Sequence, residues 1–312
     1  MVFICPFLNG REGEKSDSKI AILRVLQAIN KDKYAEILRI LKSLKNVFAI
    51  LASKSNIQSL KKHIPNLFTL GNLLCGTIAI IYALQDYFEM AAIFVVAGII
   101  LDFFDGFVAR LLNVAGELGK QLDSLADVVT SGVAPGFIMY RLIYRSSFED
   151  LDKSLIDEGL LVQFSSNDYS MTWLSYFGFI LVLGAAYRLA KFNIDTRQSD
   201  SFIGLPTPAM SLFVISLPLI QMNSEIEAIT ALLDTPYFLI GLVVLLTYLM
   251  NTELPLLALK FKKFGWSGNE FRFILIILSI MLLITVQYLA VPLIIIAYIA
   301  VSLIENIKKS KV

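Results

Sequence analysis

Apolar residues concentrate in eight stretches of the chain, which are separated by shorter polar segments. A hydrocarbon core of about 30 Å requires roughly 20 apolar residues per helix, so each stretch predicts one membrane-spanning helix. The predicted spans are residues 66–85, 88–112, 122–143, 172–192, 206–222, 236–250, 271–286 and 288–304. This pattern predicts an all-α fold, that of a polytopic membrane protein.

Two parts of this prediction depend on weaker signals. Only Gln287 separates the last two spans, and the fifth span carries Pro206, Pro208 and Pro218. Because proline removes a helical hydrogen bond, we expect kinks or an unwound start in the fifth span.

The charges of the loops predict an orientation, because Lys and Arg near helix ends stay on the cytoplasmic side. With an even number of spans, one side receives Lys54, Lys61, Lys62, Arg110, Lys120, Arg188, Lys191, Arg197, Lys260, Lys262, Lys263, Arg272, Lys308, Lys309 and Lys311. The other side receives Arg141, Arg145 and Lys153 among many acidic residues. We therefore predict an integral protein of the inner (cytoplasmic) membrane with both termini in the cytoplasm.

Residues 1–61 differ from the predicted spans. A polar segment, REGEKSDSK, is followed over residues 20–51 by apolar and basic residues at roughly helical spacing. This spacing indicates an amphipathic helix on the cytoplasmic leaflet, and a poorly ordered extension is the alternative.

The composition agrees with a membrane protein, since 56% of the 312 residues are hydrophobic and 17% are charged. The formal net charge is +1, so no overall field would attract nucleic acid and we expect no nucleic-acid partner. His63 is the single histidine, which excludes mechanisms that need two.

Four aspartates interrupt the apolar sequence of the second and third predicted spans. Asp102 and Asp105 lie three residues apart, so both lie on one face of their helix. Asp123 and Asp127 lie four apart, with the same result. The short linker NVAGELGKQ makes the two helices antiparallel neighbours, which brings four carboxylates together near their cytoplasmic ends.

These aspartates are costly at membrane depth. Four ionised carboxylates there cost on the order of 10–14 kcal/mol unless something compensates. A divalent cation offsets their mutual repulsion, and ligation by oxygen alone suits Mg²⁺ or Mn²⁺ better than zinc. Because hard cations held by carboxylates commonly serve phosphates, we predict a metal-dependent site for a phosphate-containing substrate.

Small residues lie between the acids. Gly106, Ala109, Gly116 and Gly119 keep one face of the helix pair bare, which either allows close packing or leaves room for a nucleotide. Arg110 lies about one helical turn from Gly106, so it could reach a phosphate there. The alternative is that Arg110 anchors its helix at the cytoplasmic boundary.

From Asp102 to Asp127 the residues follow the pattern D-x2-D-G-x2-A-R-x8-G-x3-D-x3-D. This pattern resembles the signature of the CDP-alcohol phosphotransferase family at every fixed position, and the resemblance covers about residues 62–250. It implies a six-helix catalytic core over residues 62–252 that binds a CDP-linked lipid or alcohol at the cytoplasmic face. Residues 1–61 would precede this core as an extension, and residues 253–312 would add two transmembrane helices and a basic tail.

The resemblance also implies roles for individual residues. Metal binding, with two Mg²⁺ or Mn²⁺ ions per active site, would belong to Asp102, Asp105, Asp123 and Asp127. Asp127 would also act as the general base. CDP binding would belong to Asn66, Thr69, Gly106, Ala109, Arg110 and Gly119. For Asn66 and Thr69, helix capping after Pro65 is the alternative.

Segments outside the signature are similar to membrane-embedded phosphatidylserine synthases. These segments are IPNLFTLGNLLCG, SLADVVTSGVAPGF, AAYRLAKFN and FIGLPTPA. The similarity implies transfer of phosphatidyl from CDP-diacylglycerol to L-serine with release of CMP, by a homodimer in the lipid bilayer. Serine binding would belong to Arg188, Lys191 and Asn193, although Arg188 and Lys191 also suit anchoring at the cytoplasmic boundary.

Two other functions stay open at this stage. The same chemistry could use another alcohol, such as glycerol phosphate or inositol phosphate. A cation transporter could also carry intramembrane acids, although transporters place them near the midplane at a repeat interface. Here the acids lie at one end of one helix pair, which favours an enzyme.

Overall fold

A computed structural model of the chain describes residues 42–43, 57–147, 172–195, 202–257, 265 and 269–310. The chain divides into two compact units, Met1–Lys61 and Lys62–Val312. The amphipathic segment predicted over residues 20–51 lies outside the described residues, apart from the helical residues 42–43.

Helices form nearly all of the described chain. They are α1 (Ile57–Leu84), α2 (Phe88–Leu111), α3 (Glu117–Asp127), α4 (Ala134–Ser146), α5 (Ile180–Ile194), α6 (Thr207–Asn223), α7 (Glu227–Leu233), α8 (Pro236–Asn251), α9 (Glu270–Val286) and α10 (Ala290–Ser310). A π-helical segment, Val128–Val133, joins α3 to α4, and 3-10 turns at Thr172–Phe179 and Gln287–Leu289 precede α5 and α10. Each of the eight predicted spans coincides with helix, and the all-α fold class is confirmed.

Not every helix has the length of a complete span. By length and composition, four helical stretches could cross a membrane, namely His63–Leu84, Phe88–Leu111, Trp173–Ile194 and Glu270–Ile307. The pair α7 and α8, which is bent by 77°, would be a fifth. Helix α6 is apolar but short. The protein is therefore an integral membrane protein, and the count of eight spans stays a prediction.

The last long stretch is a helical hairpin, as the pattern around Gln287 predicts. Gln287 has a φ of 47°, in the left-handed region, which breaks the helix between α9 and α10. Leu275 of α9 and Tyr298 of α10 belong to one buried cluster. In an uninterrupted helix, these two residues would be about 34 Å apart.

A two-residue antiparallel pairing precedes this hairpin in the chain, and the residue after it contacts α10. Strand β1 (Phe202–Ile203) pairs with β2 (Pro255–Leu256). Just after β2, the Leu257 amide donates to Ser302 Oγ at 3.1 Å, and the Tyr298 hydroxyl donates to the Leu257 carbonyl at 3.0 Å. Both partners lie on α10, so the segment just after β2 is hydrogen-bonded to the last helix.

An ion pair joins α4 to the turn between α1 and α2, at the end of the helices that is far from Asp102, Asp123 and Asp127. Arg141 of α4 donates to Asp86, in the turn between α1 and α2, at 2.9 Å and 2.5 Å. The Arg141 side chain is 3% exposed. Asp86 and Arg141 therefore lie at the same end of the bundle, in agreement with their assignment to one side of the membrane.

Candidate active site

Three carboxylates converge where α2 and α3 meet. Oxygens of Asp102, Asp123 and Asp127 all lie within 4.8 Å of one another. The linker between the helices makes this possible, because Asn113 adopts a φ of 52° and the Val114 amide donates back to the Ala109 carbonyl. The chain therefore reverses within a few residues, and the acidic faces of the two helices meet as the spacing predicts.

Asp105 lies beside this group of three. Its Oδ2 accepts a hydrogen bond of 2.5 Å from the hydroxyl of Thr69 on α1, and Asp105 is buried. It remains close enough to Asp123 and Asp127 to interact with them electrostatically. The fourth predicted ligand thus belongs to the same site but is held by the first helix.

Asn72 is a site residue that the sequence reasoning missed. It is fully buried, and its Nδ2 donates to Oδ1 of Asp127 at 3.2 Å. The available signal was an asparagine inside an apolar run, three residues after Thr69 and so on nearly the same face of α1.

A π-helical segment begins directly after Asp127. Pro135 lies at the start of α4, and a proline lacks the amide hydrogen that an α-helix needs at this point. The wider π turn accommodates this break without ending the helix. Gly76 allows the segment to approach α1, because a Cβ at Gly76 would lie 2.8 Å from Thr130 Cα.

The predicted CDP-binding residues lie on α1, α2 and the first turn of α3. Arg110 Nε donates to the Gly106 carbonyl at 2.9 Å, so the exposed guanidinium folds along the helix over Gly106. Asn66 faces Gly119, where an added Cβ would lie 3.5 Å from its Oδ1. Ala109 is half-buried. The structure thus brings Asn66 and Gly119 together, and Arg110 with Gly106.

The three predicted serine-binding residues differ in their surroundings. Arg188 is buried, interacts electrostatically with Asp127, and its Nε has no hydrogen-bond partner within the described part of the chain. Lys191 is partly exposed and forms an ion pair with Glu253 at 3.4 Å. Of the two cations Arg188 and Lys191, Arg188 therefore has the surroundings expected of a substrate-binding group.

Asn193 connects α5 to the acidic helix. Its side-chain Nδ2 donates to Ser124 Oγ at 2.7 Å, and its main-chain carbonyl accepts from Lys120 Nζ at 3.0 Å. Both partners lie on α3, between or beside the acidic residues. Asn193 thus aligns the end of α5 with Asp123, a contact that the sequence pattern did not indicate.

The donor set fits a hard divalent cation. The clustered ligand atoms are all carboxylate oxygens, and Mg²⁺ and Mn²⁺ prefer such ligands. Three carboxylates at this separation repel one another strongly in a partly buried site, and a cation removes that cost. The acidic triad Asp102, Asp123 and Asp127 could therefore bind a metal ion.

Comparison with known proteins agrees with this geometry. Residues 62–250 match the sequence profile of the family described as CDP-alcohol phosphatidyltransferase, a range that contains the whole acidic cluster. The chain belongs to this family. The matched range therefore contains most of the described helices, from α1 to α8.

Several relatives within this CDP-alcohol phosphatidyltransferase family carry a more specific name. The chain is 36% identical over 232 residues to a CDP-diacylglycerol–serine O-phosphatidyltransferase of Helicobacter pylori strain J99, covering 73% of this chain and 84% of the relative. The enzyme of that name from Bacillus subtilis strain 168 is 35% identical over 156 residues, covering 50% and 75%. An archaetidylserine synthase of Methanothermobacter thermautotrophicus is 27% identical over 168 residues, covering 53% and 61%.

Proposed function

We propose that this protein transfers the phosphatidyl group of CDP-diacylglycerol to the hydroxyl of L-serine, which yields phosphatidylserine and CMP. The observation that carries the proposal is the convergence of Asp102, Asp123 and Asp127 within 4.8 Å, in a chain of the CDP-alcohol phosphatidyltransferase family. The relatives named for serine transfer support L-serine as the acceptor.

The chain's own residues hold the reactants in line. Asn66, Thr69, Gly106, Ala109, Arg110 and Gly119 bind the CDP moiety. Asp127 takes the proton of the serine hydroxyl as its oxygen attacks the phosphatidyl phosphorus. The bond from that phosphorus to the CMP oxygen breaks, and CMP leaves with the electron pair. The substitution needs no covalent intermediate on the enzyme.

The acidic residues serve as metal ligands in this proposal. Asp102, Asp105, Asp123 and Asp127 hold Mg²⁺ or Mn²⁺, with two cations per active site. When bound, such cations neutralise the pyrophosphate and stabilise the departing phosphate charge. The all-oxygen donor set supports this assignment.

Serine recognition requires a cation for the carboxylate of the acceptor. Arg188 supplies this charge, because it is buried, interacts electrostatically with Asp127 and retains an Nε donor without a hydrogen-bond partner among the described residues. Lys191 and Asn193 extend the same site at the end of α5. An acceptor with its own phosphate would call for further basic groups around this position.

The charge pattern of the loops supports a placement of the active site on the cytoplasmic side of the membrane. Both termini and the active site lie on the cytoplasmic side of the inner membrane, together with the loops rich in Lys and Arg. The catalytic core spans residues 62–252, residues 1–61 form a cytoplasmic extension, and residues 253–312 add two helices and a basic tail. We expect a homodimer, which sedimentation of the detergent-solubilised protein would test.

The decisive test compares acceptors. Detergent-purified protein receives CDP-diacylglycerol, Mg²⁺ or Mn²⁺, and one labelled acceptor, either L-serine, glycerol phosphate or inositol phosphate. The expected result is CMP release and labelled phospholipid with serine alone, which chelation with EDTA abolishes. Product from another acceptor would move the protein to that reaction.

A matched variant separates the enzyme from a cation transporter. Asp127→Asn should stop CMP release while the protein keeps the elution volume and thermal unfolding of a folded membrane protein. Ion flux into proteoliposomes without any CMP release from the unmodified protein would instead support transport and overturn the proposal.

A further inference from the structure

We propose that Asn72 is a positioning residue for Asp127, fixing the direction in which this carboxylate presents its second oxygen. The inference rests on the proposed function, in which Asp127 takes the proton of the acceptor hydroxyl. The Nδ2 group of Asn72 lies 3.2 Å from Oδ1 of Asp127, and no part of Asn72 is exposed.

The surroundings of the Asn72 amide determine which end faces the carboxylate. Its Oδ1 has no hydrogen-bond partner among the described residues and lies against the backbone of Gly98 on α2. Turning the amide over would place this oxygen beside Asp127 Oδ1, where two acceptors repel each other. The NH₂ group therefore faces Asp127, and this is the one side-chain hydrogen bond that the structure gives the amide.

Close packing restricts the position of Asn72. Thr130 Oγ1, in the π-helical segment, donates to the Asn72 carbonyl at 2.9 Å. A Cβ at Gly98 would lie 2.8 Å from Asn72 Oδ1 and 2.6 Å from Thr130 Cγ2. Three elements thus enclose the amide, and glycine at position 98 leaves the room that it occupies.

This arrangement has a consequence for proton transfer. An aspartate bound by a fixed donor at one oxygen loses freedom to rotate about its Cβ–Cγ bond. Its other oxygen then keeps one direction relative to Asp102 and Asp123. General base catalysis depends on such alignment, because a small misplacement of the base slows the reaction strongly. Asn72 acts here through Asp127 and does not itself touch the reacting atoms.

The first test removes the donor and keeps the shape. Asn72→Leu should lower kcat for CMP release by roughly tenfold to hundredfold, the effect of a lost hydrogen bond to a charged group. The KM values for CDP-diacylglycerol and serine should change little. Asn251→Leu is the matched control, because its amide donates to the carbonyls of Gly184 and Thr247 and not to a carboxylate, and it should keep the kcat of the unmodified protein.

Two further measurements separate positioning from folding and from metal binding. Titration with Mn²⁺ in the absence of substrates should give Asn72→Leu an affinity close to that of the unmodified protein, whereas Asp127→Asn should bind more weakly. Thermal unfolding should show that Asn72→Leu and Asn251→Leu both remain folded. A loss of Mn²⁺ affinity in Asn72→Leu as large as that in Asp127→Asn would overturn the positioning role.

A second variant moves Asn72 without replacing it. Gly98→Ala should lower kcat because the added methyl group displaces the amide, and Gly241→Ala, where nothing lies within 4 Å, is its control. The inference fails if the unmodified protein is active and Asn72→Leu keeps its kcat, or if Asn251→Leu loses as much. The proposed function fails separately, if the unmodified protein releases no CMP.

Discussion

The hydroxyl of Thr69 donates a hydrogen bond of 2.5 Å to Oδ2 of Asp105, which joins the first helix to the acidic site. Without the Thr69 hydroxyl, the buried carboxylate of Asp105 would lose this hydrogen bond and could turn away from Asp123. Thr69→Val should therefore lower kcat/KM for CDP-diacylglycerol by about tenfold, as expected for a hydrogen bond to a charged group.

The control for Thr69 lies on the same helix. Thr77 is exposed, and its hydroxyl donates only to the Leu73 carbonyl of its own helix. Thr77→Val should leave CMP release unchanged. Equal activity of the two valine variants would show that the contact between Thr69 and Asp105 does not support the reaction.

Asp123 should be required for both activity and metal binding. Asp123→Ala removes one of three clustered ligands, so CMP release should fall below detection and Mn²⁺ should bind at least roughly tenfold more weakly. Calorimetric titration of the purified variant measures the second effect. Glu117→Gln neutralises an exposed carboxylate on the same helix and should change neither quantity. Normal Mn²⁺ affinity in Asp123→Ala would contradict its assignment as a ligand.

Arg188 should determine the affinity for the acceptor. Arg188→Lys keeps the charge but removes the planar guanidinium, so the KM for serine should rise by roughly tenfold or more. The KM for CDP-diacylglycerol should stay the same, as initial rates at varied substrate concentrations would show. Lys191→Met should have a smaller effect, because Lys191 is partly exposed and pairs with Glu253.

An arginine at the far end of the bundle serves as the comparison for Arg188. Arg145 is exposed at the end of α4, where its guanidinium lies over the Phe88 ring. Arg145→Lys should leave both KM values unchanged. An unaltered KM for serine in Arg188→Lys would place carboxylate recognition elsewhere.

The ion pair between Asp86 and Arg141 should affect stability rather than catalysis. Asp86→Asn removes the charged acceptor of the buried Arg141 guanidinium, which costs about 3 kcal/mol in the free energy of unfolding. Asp86 lies about 24 Å along α2 from Asp102, so kcat should not change. Thermal unfolding in detergent should show a lower midpoint, whereas Glu89→Gln, an exposed neighbour, should not. A normal midpoint would mean that the ion pair does not contribute to stability.

The sequence predicted the acidic cluster well, because local spacing decides which face of a helix a residue occupies. Asp102, Asp123 and Asp127 needed only helical periodicity and a short linker to meet. Asn72 could not be predicted in this way, since its contact with Asp127 depends on how α1 packs against residues more than fifty positions away. Apolar lipid-facing patterns do not encode that packing.

The lengths of the spans were also harder to predict than their positions. A hydrophobic pattern shows where a helix passes through lipid, but α6 has only 17 residues and the pair α7 and α8 is bent by 77°. Breaks in these segments depend on tertiary contacts and on residues such as Pro206, just before α6. The break at Gln287 was predictable because a polar residue interrupts an otherwise apolar run.

The π-helical segment Val128–Val133 is a place where the deletion of one residue would change the geometry of the protein. Deleting a single residue there would restore ordinary helical winding and rotate Asp127 by about 100° relative to α4. Many changes to lipid-facing side chains would leave the acidic cluster intact, but a one-residue deletion in this segment would turn Asp127 away from Asp102 and Asp123. In comparisons between distant homologues, gaps should therefore be rare here even where the side chains diverge.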